Sequence, residues 1–285
     1  MKPCDSSSSR DITNLVYGYL KDGRERHMAD AAAARAFNDS RGQRTLRSEV
    51  PGGGGGKNLE RSLRAPFDES VLLWHLATDF CFHGDGDGTS SAAARDAARR
   101  SRAVSNYMAY LLFVNPEMLM TGARPSLFRD AYEDLKRILL TKQDRNQQPG
   151  EALHQLPVLD ADEGEPARDH TAPGDKKEEE KKGEQEELAG KIIHKLKGGL
   201  QGGGVVPDAW ALSRDLVGLC RGDKEKMWRV IQGVWVEMLC FSAGRCRGYL
   251  HAKSLGKGGE YLSYVWLLLA YMGMETLAQE DTEDD

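Results

Sequence analysis

An all-α fold is what the sequence predicts, and three observations predict it. No stretch alternates polar and apolar residues for more than a few positions. Two blocks, 66–140 and 205–277, repeat apolar side chains at the three- and four-residue spacings of helices, and all five tryptophans (Trp74, Trp210, Trp228, Trp235, Trp266) fall inside those blocks. Helices that are apolar on most sides need partners, so the two blocks are expected to form one domain. The expected architecture is an irregular helical bundle interrupted by a long disordered acidic insertion.

Residues 1–65 read as a flexible N-terminal region, with a serine run at Ser6–Ser9, an alanine run at Ala31–Ala34 and five glycines at Gly52–Gly56; Asp11–Phe37 is expected to be helical in part. From Pro66 the texture changes. Asp68 is placed to cap a central helix through Val71, Trp74, Ala77 and Phe80. A second helix spans Ser91 to Val114 and stops at Asn115-Pro116. A third, Ser126 to Leu140, carries Leu127, Ala131, Leu135 and Ile138 as one stripe. Residues 141–204 form the charged insertion: 141–190 has few apolar side chains after Leu159 to offset the entropy of ordering, and Gly198–Gly204 adds a flexible joint. Pro207-Asp208 opens a helix to about Cys220, Lys224 opens a long one through Leu239, and Glu260 opens the last, through Leu277. Residues 278–285 are an acidic tail.

Charge is unevenly placed. The whole chain carries −5, yet Asp144–Glu187 has 14 acidic and 6 basic residues and Glu275–Asp285 has 6 acidic and none basic. What remains is mildly basic without the concentrated positive field of a nucleic-acid binder, so nucleic acid is not an expected partner. The five cysteines (Cys4, Cys81, Cys220, Cys240, Cys246) show no C-x-x-C spacing and read as reduced thiols. Tyr261–Met274, the uncharged stretch between Glu260 and Glu275, falls short of the roughly 20 apolar residues of a membrane span and reads as a buried core helix. No span is expected; the sequence leaves the location open between cytoplasmic and peripheral to a membrane.

Polar residues in apolar surroundings supply the candidate chemistry. His75 and Asp79 stand one helical turn apart, where they could hold a metal or act as acid and base, or simply be a hydrogen-bonded pair; the second reading is preferred because buried polar groups must be satisfied. Glu237, flanked by Trp235, Val236, Met238 and Leu239, needs a partner, with Arg245, Arg247 or His251 as candidates. His251 and Glu260 flank a glycine-rich turn. Cys240, Cys246 and His251 lack zinc spacing, and neither a metal nor another cofactor is expected. Arg95, Arg99 and Arg102 make a basic helical stripe that reads as a solvated face. Gly56-Lys57 lacks the first Gly and the Ser/Thr of a phosphate-binding loop, since Pro51 and Asn58 occupy those places.

The blocks resemble the plant family called domain of unknown function 594. The resemblance rests on the run Phe67 to Asp79, on Ser105-Asn106-Tyr107-Met108, and above all on Trp235 to Cys240 with Cys246 to Ala252 and Gly258-Gly259-Glu260. It covers roughly 66–140 and 205–277. It implies a plant protein whose relatives often carry an N-terminal membrane-spanning region, and Leu20–Gly23 with Phe37–Gln43 look like the stretch that follows it. It brings no activity and no catalytic residue. The expectation is a helical interaction or regulatory module with a protein partner. The alternative is an enzyme built on His75, Asp79, Glu237, His251 and Glu260.

Overall fold

The computed structural model describes residues 6–27, 30–50, 57–84, 91–120, 124, 126–140, 175–198 and 203–274. Among them are thirteen helices and no strand, which makes the fold all-α. Two compact units are distinguished, Met1–Leu127 with Asp208–Asp285, and Phe128–Pro207.

The larger unit is organised around α11 (Lys224–Arg245), which packs against α6 (Ala92–Val114), α13 (Glu260–Tyr271) and α3 (Gln43–Glu49). Its hydrophobic pattern runs all the way round, and Val230, Ile231, Val234, Trp235, Met238 and Leu239 are buried on different sides. Asp223 caps it, its carboxylate accepting from the Lys226 N–H at 3.0 Å. α5 (Phe67–Gly84) lies between α6 and α4 (Lys57–Arg64) and buries Val71, Leu72, Trp74 and Ala77. Ser91 caps α6 by accepting from the Ala94 N–H at 3.1 Å, where the sequence places the start of that helix.

The lead-in expected to be flexible contributes four helices to this unit: α1 (Ser6–His27), α2 (Ala31–Asn38), α3 and α4. Ile12, Val16 and Leu20, one turn apart on α1, are buried, as are Phe37, Leu59 and Leu63. The serine run at 6–9 begins α1; the glycine run 52–56 lies outside the described residues.

Other boundaries shift. α5 begins at Phe67, so Asp68 sits in its first turn instead of capping it. α8 is Ser126–Leu139 and α10 is Val205–Leu219; α7 (Pro116–Leu119) and α12 (Gly248–Lys253) are short. α13 stops at Tyr271, where Gly273 takes a left-handed φ of +66° and closes the helix; Leu277, the expected end, lies outside the described residues. α13 is also not the wholly buried helix expected. Leu262, Val265 and Leu269 face the core, whereas Tyr264, Leu267 and Tyr271 are exposed. No described helix is long and apolar enough to cross a membrane.

In the smaller unit, α9 (Asp175–Lys197) is a helix within the stretch read as an insertion; 141–174 lie outside the described residues. Ile192, Ile193 and Leu196 supply its buried end, and the Lys195 ammonium donates to the Leu139 carbonyl at 2.5 Å. Asp134, almost buried, accepts from Arg137 and from the Val206 N–H at 3.2 Å.

Candidate functional site

Glu237 is the most enclosed of the candidate residues, with no exposed surface. Its carboxylate accepts from the N–H of Gly42 at 2.6 Å, of Thr45 at 2.7 Å and of Arg44 at 3.3 Å, from the Thr45 hydroxyl at 2.6 Å, and from the Ser40 hydroxyl. The first N–H groups of a helix have no partner within the helix. The cap position of α3 is Gly42, which has no side chain to offer them and takes φ +117°. Glu237 does the capping from α11, 195 residues along the chain. Gly233, one turn earlier on α11, makes the approach possible, because a Cβ there would lie 2.6 Å from the Thr45 hydroxyl oxygen. The expected partners Arg245, Arg247 and His251 are thereby corrected: the carboxylate is satisfied by main-chain amides and hydroxyls.

The Arg44 side chain, on the same helix α3, stacks on aromatic rings. The Arg44 guanidinium lies 4.3 Å from the Tyr19 ring centre and 4.4 Å from that of Phe37. Burial raises the pKa of the Tyr19 hydroxyl and of the Cys240 thiol, and the Glu237 charge adds to both. Cys240 therefore stays a thiol, poorly suited to nucleophilic attack. Burial also pushes the Cys246 thiol up, to about 11.

His75 and Asp79 do face one way, towards α6, but each finds its own partner there. His75 Nδ1 is 2.9 Å from the Ser105 hydroxyl, and the Arg102 Nε–H donates to Asp79 at 3.1 Å. Burial lowers the His75 pKa; Asp79 pulls it back up and Arg102 pushes it down again. Arg102 also stacks on Phe82, 4.4 Å from the ring centre. The basic stripe is thus partly consumed, for Arg99 pairs in addition with Asp96 at 3.5 Å on the surface.

His251 is buried, stacked on Trp266 with ring centres 4.8 Å apart and planes 14° from parallel. Its Nδ1 is 3.0 Å from the Ser263 hydroxyl, which itself donates to the Gly259 carbonyl. That hydroxyl has spent its proton, so it accepts from an Nδ1–H tautomer. Nε2 is buried without a partner in hydrogen-bond geometry among the described residues; burial lowers the ring's pKa, and the backbone of Ala243 and Cys246 offsets part of that. Glu260, exposed at the start of α13, accepts from the Gly256 N–H at 2.5 Å and ties down the turn before it.

The five candidates thus hold five separate sets of partners. A small pocket lined by Asn58, Arg61, Ser62, Glu69, Leu73 and Asp208 contains none of them. Among the described residues no group of three or more His, Cys, Asp and Glu side chains is arranged to hold a metal ion.

The structure adds polar residues that the sequence reading did not single out as a network. Trp235 Nε1–H donates to the Thr78 hydroxyl at 3.0 Å, Thr78 donates to the Trp74 carbonyl at 2.7 Å, and Trp74 Nε1–H donates to the Ser62 hydroxyl at 3.0 Å. Asp68, 2 % exposed, accepts three hydrogen bonds of 3.0 Å from Arg124. Burial alone would raise its pKa; the Arg124 bonds outweigh that and hold it below the usual carboxylate range. Nothing local signals this pair, since 56 residues separate its members.

Fold and site together define a helical protein whose buried polar side chains join helix to helix. The segment bearing Glu237, His251 and Glu260 identifies it further. Residues 221–274 match the sequence profile of the family described as Protein of unknown function, DUF594, so this segment is similar to that family. No curated protein and no solved structure matches the chain.

Proposed function

We propose that the protein is an interaction or regulatory module that meets a protein partner through the outer face of α13. One observation carries this reading. α13 is apolar on two faces: Leu262, Val265 and Leu269 enter the core, while Tyr264, Leu267 and Tyr271, at i, i+3 and i+7, stand 40 %, 56 % and 86 % exposed. Tyr249 and Leu255, both 62 % exposed, lie just before it in sequence. A helix face of this kind gains by being covered, and tyrosine is among the residues enriched at protein interfaces. The enzyme reading finds less support, because its candidate groups are each committed to a separate structural partner.

The double variant Leu267→Lys, Tyr271→Lys tests the proposal. Both side chains are exposed, so the thermal midpoint stays within about 2 °C of wild type, as is usual for surface substitutions. Quantitative affinity capture from a cell extract is expected to lose one stoichiometric partner with the variant. Retention of every captured protein at wild-type yield would sink the reading.

A further inference from the structure

We infer that the acidic C-terminal segment, residues 275–285, docks on a pair of arginines, Arg41 and Arg245, that share the ring of Phe241. The inference is independent of the role proposed for the α13 face. It rests on the arginine pair, on the point where the segment leaves the described structure, and on its charge.

Phe67 and Phe241 form a platform with ring centres 4.8 Å apart. The Arg41 guanidinium carbon lies 6.0 Å from the centre of the first ring and 5.4 Å from that of the second; the Arg245 carbon lies 3.9 Å from the second. The two guanidinium carbons can therefore be no farther apart than about 9 Å, the limit set by their two distances to the shared ring. Two like charges this close call for anions. Arg245 has one, pairing with Asp39 at 2.5 Å, and also donates to the Asn38 carbonyl at 3.3 Å. The Arg41 guanidinium reaches only the Ala65 carbonyl, at 3.5 Å, and no carboxylate among the described residues pairs with it. Glu237 is already committed to the donors of residues 40–45. Arg41 is half-buried, and its pKa is lowered by burial and then by Arg245, the direction expected of a cation short of counter-charge.

The chain supplies that counter-charge at this very place. α13 ends in a tight cap: the Met274 N–H donates to the Leu269 carbonyl at 2.8 Å and the Gly273 N–H to the Ala270 carbonyl at 2.9 Å. Met274 is 2 % exposed, and its own carbonyl accepts from Asn38 Nδ2 at 2.9 Å. Met274, the last described residue before the acidic segment, is thus tethered to the same asparagine whose carbonyl Arg245 holds. From there to Asp285 the segment has 6 acidic and no basic residues. An extended chain advances about 3.3 Å per residue, so its first few residues already span the arginine pair. Carboxylates bind guanidinium groups through paired, charge-assisted hydrogen bonds, and the tether raises their local concentration to about the millimolar range. The docked segment covers the Arg41 and Phe241 surface until salt or a competing acidic partner displaces it.

Two variants test this from opposite sides. In the first, the six acidic residues of 275–285 are changed to their amides, which alters no described residue. Modification of Arg41 by phenylglyoxal, read by peptide mass spectrometry, is expected to quicken about tenfold, in line with loss of a charge-assisted contact. In the second, Arg41→Gln, amide hydrogen exchange across 275–285 is expected to speed up while that of α11 is unchanged. A labelled free peptide of residues 275–285 should bind the chain ending at Met274 and not the full chain. Unchanged Arg41 modification in the first variant would overturn the inference. So would equal peptide binding to both chains, which would reserve the surface for an acidic partner other than this segment.

Discussion

Replacing Glu237 by alanine is expected to lower the unfolding free energy by about 3 to 5 kcal/mol, because several buried hydrogen-bond donors lose their acceptor at once. The loss comes less from the missing bonds than from the donors left behind. The N–H groups of Gly42 and Thr45 and the hydroxyls of Ser40 and Thr45 would lie buried without an acceptor, each at a cost of about 1 to 3 kcal/mol before relaxation and water entry. Glu237→Gln tests the charge separately. It keeps the volume but turns one end of the head group from acceptor to donor, against a cluster consisting only of donors, and is expected to cost more than about 1 kcal/mol. Thr45→Val removes one donor, leaves the carboxylate with the others, and costs the least of the three. Urea unfolding followed by circular dichroism gives the order; a shift below about 1 kcal/mol for Glu237→Ala would contradict the capping role.

Trp235→Ala is expected to be of similar severity, about 3 to 5 kcal/mol, because it opens a cavity between α11 and α5. Trp235 has no exposed surface, and the bond from its indole N–H to Thr78 continues through the Trp74 carbonyl to the Trp74 side chain and on to Ser62. One line of hydrogen bonds therefore crosses α11, α5 and α4. Thr78→Val separates the two contributions. It keeps the packing nearly unchanged but strands a buried indole N–H, at about 1 to 3 kcal/mol. Calorimetry should place Thr78→Val between wild type and Trp235→Ala, and equality of the two variants would mean that the indole contributes little beyond its N–H.

How much of this was legible in the sequence follows from where the partners lie. α6 and α11 announce themselves through Ser91, Asp223 and their apolar spacing, because caps and period are local signals. The spacing of His75 and Asp79 correctly put both on one face of α5. It could not show that Ser105 and Arg102 divide them, since those residues come from the next helix. Glu237 was legible as a buried carboxylate in need of partners, and illegible in who they are. Its acceptor role is met mostly by main-chain N–H groups, which every residue type but proline carries, so side-chain chemistry pointed to Arg245, Arg247 and His251 instead. The reading of 1–65 followed its serine and glycine runs, whereas Ile12, Val16, Leu20, Leu59 and Leu63 are the side chains that tie this region to the core. In α13 the apolar run predicts burial on every side, yet Tyr264, Leu267 and Tyr271 are exposed. Periodicity shows that a face is apolar, and only packing shows which faces have neighbours.

Native-state hydrogen exchange at the amides of Gly42 and Thr45 tests most directly the claim that a buried carboxylate on α11 locks the N-terminal helices into the larger unit. Both amides are expected to exchange only through global opening, with the same urea dependence as the amides around Trp235, and Glu237→Gln is expected to accelerate all of them together. Exchange of Gly42 and Thr45 without urea dependence, while α11 stays protected, would contradict it.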